Sequence, residues 1–80
     1  MAKHEICALI PGTFYRATSP NEPPAKADGA PVAIGDVIGV IEIMKTFTPV
    51  KAGVQGKTIT FLVENEEPVM PDQVIAEVEE

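Results

Sequence analysis

Two short apolar runs that meet at Met44-Lys45 constrain the fold of this chain more than any other segment. The first run, residues 37–43, is nearly all Val and Ile, as expected of a strand that is buried on both faces. The second run, residues 46–50, contains Thr, Phe and Val and has a proline near its end. Two residues between two strands leave room only for a tight turn. The sequence therefore predicts a β-hairpin over about residues 37–50.

The predicted turn lacks the residues that such turns prefer. Two-residue hairpin loops favour types I′ and II′, which need positive φ and usually contain Asn-Gly or Asp-Gly. No Gly, Asn or Asp occurs between Val40 and Thr48. A Met or Lys in the left-handed region costs about 1–2 kcal/mol. Selection for stability alone would favour glycine, so we infer a functional reason for the lysine at this tip.

The remaining sequence predicts an all-β domain of short strands. No segment sustains a 3.6-residue period, and aromatic residues make up only 5% of the chain. Eighty residues form one domain, 1–80, whose core must be built from small aliphatic side chains. Residues 1–5, including His4, are expected to be a loose, exposed start. The predicted strands outside the hairpin are residues 6–10, 13–16, 57–64 and 74–79, with an extended segment at 31–34.

An internal repeat divides the chain into two similar halves. Residues 31–32, 37–38 and 42 have the same identities as residues 68–69, 74–75 and 79, at a constant offset of 37. Gly12 and Gly56 are related by an offset of 44, so the first half has seven extra residues, which fit the proline-rich segment 17–25. The counterpart of Lys45 would be position 82, just after the last residue. If the repeat is a spatial two-fold, Lys45 and the C-terminus lie at opposite ends of the domain.

Charge and residue types argue against several classes of function. A net charge of −6 argues against nucleic acid and anionic membranes as partners. The single cysteine, Cys7, forms no disulfide and no metal cluster within the chain, and we expect it to be a buried strand thiol. The sequence shows no candidate catalytic triad and no phosphate loop. Without a signal peptide or an apolar membrane span, the expected location is the cytoplasm.

Several segments together resemble the biotinyl domains of acetyl-CoA carboxylase carrier subunits. The turn region reads Glu42-Ile43-Met44-Lys45-Thr46, where the family usually has Glu-Ala-Met-Lys-Met. The resemblance extends to Gly-Thr-Phe-Tyr-Arg at 12–16, a following segment with Ser-Pro, Val-Ala-Ile-Gly-Asp at 32–36 and Phe-Leu-Val-Glu-Asn at 61–65. The matched region covers residues 6–79, almost the whole chain.

The resemblance implies a fold and a cofactor. The fold is a flattened, two-fold pseudo-symmetric β-sandwich or barrel with a protruding thumb loop, here residues 17–25. Biotin protein ligase would join biotin to Lys45 as an amide and would recognise Met44, while Glu42 matches the family glutamate. The thumb would contact biotin through Thr18 or Ser19, with Arg16 at its base. An exposed turn lysine without biotin is the alternative for Lys45.

The implied function is that of a biotin carboxyl carrier. Such a carrier does no chemistry itself, but shuttles a carboxyl group from biotin carboxylase to carboxyltransferase, here in acetyl-CoA carboxylase and fatty acid biosynthesis. Ile43 and Thr46 depart from the family pattern on both sides of the Met44-Lys45 pair. Two alternatives therefore stay open: a carrier of another biotin-dependent carboxylase, and an unmodified β-domain that binds partner proteins.

Overall fold

The computed structural model describes residues 2–19 and 21–80, so Met1 and Pro20, which belong to the predicted loose start and thumb, lie outside the described residues. All regular structure within those ranges is β-strand, which confirms the all-β prediction. The strands are β1 Lys3–Cys7, β2 Gly12–Tyr15, β3 Val37–Ile43, β4 Thr46–Lys51, β5 Thr58–Phe61, β6 Glu67–Val69 and β7 Val74–Glu79.

The strands form two antiparallel sheets. Sheet A has the order β1-β7-β5, and sheet B has the order β4-β3-β2-β6. An isolated bridge between Val32 and Gly56 adds a further contact next to β5. Apolar side chains from both sheets form one buried cluster, which confirms the predicted sandwich.

Several strands differ from the sequence prediction, among them the first, which ends at Cys7 rather than at residue 10. β1 begins at Lys3 rather than Ile6, because polar side chains there pair with β7 while facing solvent and so give no apolar signal. The predicted strand over residues 57–64 ends at Phe61; Val63 is buried outside any strand, so its apolar character reflects core packing. The short strand β6 was not predicted.

His4 also differs from its prediction as part of a loose start. It pairs with Val78 in the register of β1 and β7, and its side chain is only partly exposed. Its Nε2 lies 2.5 Å from a carboxylate oxygen of Glu80. The amide N–H of Glu80 in turn donates to the carbonyl of Ala2 at 3.2 Å. The two ends of the described chain are therefore held together in sheet A.

The strand pairing confirms that the repeat is a structural pseudo-two-fold. Gly12 pairs with Val69 in sheet B, and the related residues Gly56 and Val32 form the isolated bridge. The turns before β3 and β7 are also equivalent: Asp36 N–H donates to Ala33 at 3.0 Å, and the residues 37 positions later, Gln73 and Met70, form the same bond at 3.1 Å.

Buried residues related by the repeat form most of the core. The related pairs are Ile6 and Val50, Ala8 and Ala52, Phe14 and Ile59, Val32 and Val69, Ile38 and Ile75, and Ile41 and Val78. In the strand register, Thr13 pairs with Glu42 and Thr58 pairs with Glu79. The offset there is 58 − 13 = 45, whereas Gly12 and Gly56 stay related by an offset of 44, so the second half has one additional residue between Gly56 and Thr58.

Gly12 and Gly56 are needed for the same steric reason in each half. A Cβ on Gly12 would lie 2.5 Å from the carbonyl oxygen of Glu42, and a Cβ on Gly56 would lie 2.6 Å from that of Glu79. Both contacts are far shorter than a normal van der Waals separation. Close backbone approach, rather than turn formation, therefore explains these two glycines.

Within the described residues there is no helix that has both the length and the apolar character needed to span a membrane.

Candidate functional site

The tip of the β3–β4 hairpin presents a methionine and a lysine to solvent. Ile43 pairs with Thr46, so Met44 and Lys45 are the only residues of the loop. Their φ angles are +49° and +66°, and two positive values are typical of a type I′ turn. The Met44 side chain is 92% exposed. The predicted turn therefore forms with two side chains for which this backbone conformation is unfavourable.

The residues on either side of the tip differ in exposure, although they are cross-strand partners. Ile43 is partly buried and packs against the core cluster. Thr46 is exposed on the first position of β4. The isoleucine that departs from the family pattern therefore packs partly against the core, and the threonine is the more exposed of the two departures beside Lys45.

Below the tip, three side chains meet on the outer face of sheet B. Glu42 pairs with Phe47 across the hairpin, and Tyr15 donates a hydrogen bond to Oε1 of Glu42 at 3.1 Å. The rings of Tyr15 and Phe47 lie 6.3 Å apart between centroids. The bond to Glu42 raises the pKa of the Tyr15 phenol, with burial and the charges of Glu42 and Glu66 acting in the same direction.

Val40 is buried on this outer face rather than in the main core. It is only 6% exposed, yet it does not belong to the core cluster. It lies two residues before Glu42, which places both side chains on one face of β3. This second, small apolar site explains why β3 is apolar at successive positions.

A groove of about 440 Å³ lies beside these side chains, between sheet B and the proline-rich loop. Its lining consists of Tyr15, Ala17, Thr18, Ser19, Val40, Phe47, Asn65 and Glu66. The groove brings two predicted site residues, Thr18 and Ser19, to the face that carries Glu42. The lining does not include Met44 or Lys45, which extend from the tip.

Arg16 holds the base of the proline-rich loop. Its carbonyl accepts a hydrogen bond from the N–H of Ala25 at 2.9 Å, and its guanidinium donates to the carbonyl of Lys26 at 3.1 Å. The guanidinium lies 4.2 Å from the centroid of the Phe61 ring and 3.6 Å from Asp28. Arg16 is therefore a structural anchor on both sides of the loop, rather than a free surface residue.

Sequence reasoning did not include Tyr15, Phe47, Val40, Asn65 or Glu66 in the site. The sequence contained a signal for two of these residues, Phe47 and Val40. A two-residue turn at Met44-Lys45 fixes Phe47 opposite Glu42, and the two-residue period puts Val40 on the same face. The contributions of Asn65 and Glu66 depend on a loop after β5, which strand patterns do not place.

The arrangement presents an accessible primary amine next to a partly apolar groove. No group of three or more His, Cys, Asp or Glu residues within 2–19 and 21–80 is placed to hold a metal ion. The groove volume falls within the range of about 300–1,000 Å³ that is usual for small-molecule sites. The groove is large enough for a small organic group, and the side chain of Lys45 is exposed at the hairpin tip.

Comparison with known proteins identifies the family. The biotin/lipoyl family, described as "Biotin-requiring enzyme", matches residues 4–79. A relative from Nostoc sp., named biotin carboxyl carrier protein of acetyl-CoA carboxylase, is 38% identical over 69 residues, 86% of this chain and 38% of the relative. A protein of the same name from Pseudomonas aeruginosa is 42% identical over 62 residues, 78% of this chain and 40% of the relative.

A chloroplastic relative from Arabidopsis thaliana, named biotin carboxyl carrier protein of acetyl-CoA carboxylase 2, is 38% identical over 61 residues, 76% of this chain and 24% of the relative. The chain thus spans about two fifths of the length of the Nostoc and Pseudomonas relatives. Because the family match extends over residues 4–79, nearly the whole sequence, this chain belongs to the biotin/lipoyl family.

Proposed function

We propose that the chain is the biotinyl domain of a biotin carboxyl carrier, with biotin joined to Lys45 as an amide. The observation that carries the proposal is the type I′ turn, in which Met44 and Lys45 both have positive φ without a glycine. A turn residue selected for stability would relieve this conformation. The exposed Met44 side chain fits recognition by a biotin protein ligase, which must approach the tip to acylate the amine.

Of the two departures from the family pattern beside Lys45, Thr46 is the more exposed to a ligase. Ile43 is partly buried and packs against the core cluster, so less of its side chain is presented at the surface. We expect Thr46→Met to raise the rate of biotin attachment several-fold, as measured by the gain in mass over time, with Thr48→Met as the matched control.

The chain's own residues present and hold the cofactor. Biotin supplies the nitrogen that carries the carboxyl group, and the protein supplies placement. The stiff hairpin fixes the start of the arm, which raises its effective concentration at two partner sites without tight binding at either. Biotin carboxylase and carboxyltransferase are the proposed partners, and acetyl-CoA is the proposed acceptor. The proposal keeps the cytoplasmic location expected from the sequence.

We assign Thr18 and Ser19 to contacts with the ring system of biotin in the groove. The aromatic rings of Phe47 and Tyr15 line the same groove. Biotin attachment should therefore shift the NMR signals of Thr18, Ser19 and Phe47 in the isolated chain. Shifts confined to the hairpin tip would remove these groove residues from the site and leave the attachment at Lys45 untouched.

Reconstitution tests the carrier role. The biotinylated chain is combined with biotin carboxylase and carboxyltransferase, and the transfer of labelled bicarbonate to acetyl-CoA is measured. We expect transfer with the wild-type chain and with Lys57→Arg, and none with Lys45→Arg. Transfer to a different acyl-CoA, but not to acetyl-CoA, would change the proposed acceptor. Undiminished transfer with Lys45→Arg would overturn the role of this lysine.

A further inference from the structure

Two turns related by the repeat have the same backbone structure but differ at the residue with positive φ. They comprise residues 27–30 and 64–67, at the offset of 37. In each turn the N–H of the last residue donates to the carbonyl of the first, at 3.1 Å and 3.2 Å. The third residue has a φ of +87° at Gly29 and +67° at Glu66. A glycine adopts this conformation freely in one turn, whereas the other turn holds a side chain for which it is unfavourable.

The fold itself does not require a glutamate at position 66. The N–H of Gly29 donates to the carbonyl of Ile59 at 2.7 Å, and the N–H of Glu66 donates to that of Phe14 at the same distance. Ile59 and Phe14 are a related pair of the core. The same bond therefore fixes each turn to a core strand, and glycine is sufficient for it in the first turn. The reason for the Glu66 side chain lies outside the turn.

Glu66 brings negative charge to the groove assigned to biotin. It is the only charged side chain among the described residues that line this groove. The Tyr15 hydroxyl, from the same lining, donates to the Glu42 carboxylate at 3.1 Å. The pKa of Tyr15 is raised first by this bond and further by the charge of Glu66, so both carboxylates act on the phenol. Neither glutamate belongs to an ion pair within the described ranges. The groove therefore favours an uncharged occupant over an anionic one.

We propose that Glu66 makes this groove selective for the uncharged ring of biotin and against the same ring bearing a carboxylate. The inference rests on the proposed attachment of biotin to Lys45. Loading at biotin carboxylase replaces the proton on a ureido nitrogen by a carboxyl group from bicarbonate, while ATP is cleaved to ADP and phosphate. The ring then changes from neutral to anionic, and the carboxylates of Glu66 and Glu42 repel it. The groove holds the ring before loading and releases it afterwards, when it must reach carboxyltransferase.

NMR spectra of the biotinylated chain test this selectivity. The amide signals of Thr18 and Ser19 report occupancy of the groove before and after loading with a catalytic amount of biotin carboxylase, ATP and bicarbonate. In the wild type, the equilibrium constant for occupancy should fall at least about threefold on loading, as expected for repulsion between nearby unit charges in water. The fall should be smaller in Glu66→Gln. Glu5→Gln, the same charge change on the outer face of sheet A, should behave as the wild type.

Two NMR outcomes would overturn the inference. One is a wild-type chain whose occupancy does not fall on loading, and the other is an equal fall in Glu66→Gln and the wild type. Intact mass separates these outcomes from a failure of the proposed function. A chain that takes no biotin at Lys45 would overturn the proposed function and this inference together, whereas a biotinylated chain without the selectivity would overturn only the inference.

A glycine at position 66 distinguishes selectivity from a stabilising role in the turn. Glu66→Gly removes both the charge and the unfavourable φ, so the urea concentration at the unfolding midpoint should rise while the selectivity is reduced. Gly29→Glu, the reverse change in the related turn, should lower the midpoint and leave the selectivity as in the wild type. A lower midpoint in Glu66→Gly would show that the glutamate side chain stabilises the turn, which would overturn the inference.

Discussion

The outer faces of the two sheets have the same backbone plan and opposite chemistry. On sheet B, Val40 is buried and lines the groove together with Tyr15 and Phe47. The residues at the related positions of sheet A are polar or charged: Glu77, Thr60 and Lys3. On sheet A, Glu77 even stands opposite Glu5 in the pairing of β1 with β7, which is an unfavourable arrangement of like charges.

This difference separates what the fold needs from what the site needs. The two halves agree in the core, where Ile38 matches Ile75 and Ile41 matches Val78. They disagree on the outer faces, at the inserted loop and at the hairpin tip. Both halves of the sequence therefore encode the core of the sandwich, whereas only the half that carries Lys45 has an apolar outer face.

The largest effect should come from glycine positions that both halves share. Gly12→Ala and Gly56→Ala should each lower the free energy of unfolding by about 2–3 kcal/mol, because the new Cβ meets a carbonyl oxygen within 2.6 Å. Urea unfolding measures this loss. Gly53→Ala, in open space, should change stability little. A large loss at only one of the two shared positions would break the equivalence of the halves.

Exchanging the side chains of the related outer-face residues Val40 and Glu77 should change the free energy of unfolding by unequal amounts. Val40→Glu should lower the free energy of unfolding by about 2 kcal/mol, because it places a carboxylate under Phe47 and near Glu42. Glu77→Val should change it by less than about 0.5 kcal/mol or stabilise slightly, since it removes the repulsion with Glu5. Thermal unfolding of both variants makes the comparison. Equal effects would show that the two faces do not differ in packing.

The hydrogen bond on the outer face of sheet B should be visible in a titration. Tyr15 is the only tyrosine, so its ionisation can be followed by ultraviolet absorbance. Its pKa should exceed 10.0, and Glu42→Gln should bring it back toward that value because the carboxylate charge is lost. Since folding favours the protonated phenol, the stabilising effect is complete below pH 10.0 and is lost as pH rises through the raised pKa. An unchanged pKa in Glu42→Gln would remove Glu42 as the cause.

The smallest expected effect is a difference in acid stability between the two equivalent turns before β3 and β7. A side-chain oxygen of Asp36 accepts from Ala33 N–H at 2.9 Å, and Gln73 accepts from Met70 N–H at the same distance. The hydrogen bond from Ala33 N–H has the largest effect on the Asp36 carboxylate, followed by the bond from Lys26, and both lower the pKa of Asp36 below 3.8. The stability that the ionised Asp36 contributes is therefore present above pH 3.8 and is lost as the pH falls through the lowered pKa.

Asp36→Asn keeps an acceptor in this turn and removes the titrating charge. The acid dependence of the unfolding midpoint should therefore become shallower in Asp36→Asn, whereas Gln73→Glu should add a new acid dependence at the related turn. Thermal unfolding followed between about pH 2 and pH 6 measures both. Identical pH profiles for the wild type and Asp36→Asn would contradict this assignment.

The sequence predicted the parts of the fold that carry strong local patterns. The strand Val74–Glu79, the start of the hairpin and the positive φ of its turn are confirmed, because apolar periodicity and a two-residue loop leave few alternatives. The repeat predicted the pseudo-symmetry. β1 was placed too late, since Lys3, His4 and Glu5 gain their strand conformation from pairing with β7 rather than from apolar character.

The candidate site was predicted only in part, for a related reason. Met44 and Lys45 are neighbours in sequence, so local reasoning found them. The groove depends on contacts between residues far apart in sequence, such as Tyr15 with Glu42 and Arg16 with Asn65. Neither contact has a local pattern, and the loop that carries Thr18 and Ser19 is held at its base by the bonds of Arg16 with Ala25 and Lys26. The attachment of biotin to Lys45 stays a prediction.

The intact mass of the chain after incubation with biotin, ATP and a biotin protein ligase tests the central claim most directly. The wild-type chain and Lys57→Arg should each gain one biotinyl group, and Lys45→Arg should gain none. A ligase that modifies a control carrier domain but leaves the wild-type chain unmodified would contradict the account. A gain of biotin by Lys45→Arg would also contradict the account, because the attachment site would then be a residue other than Lys45.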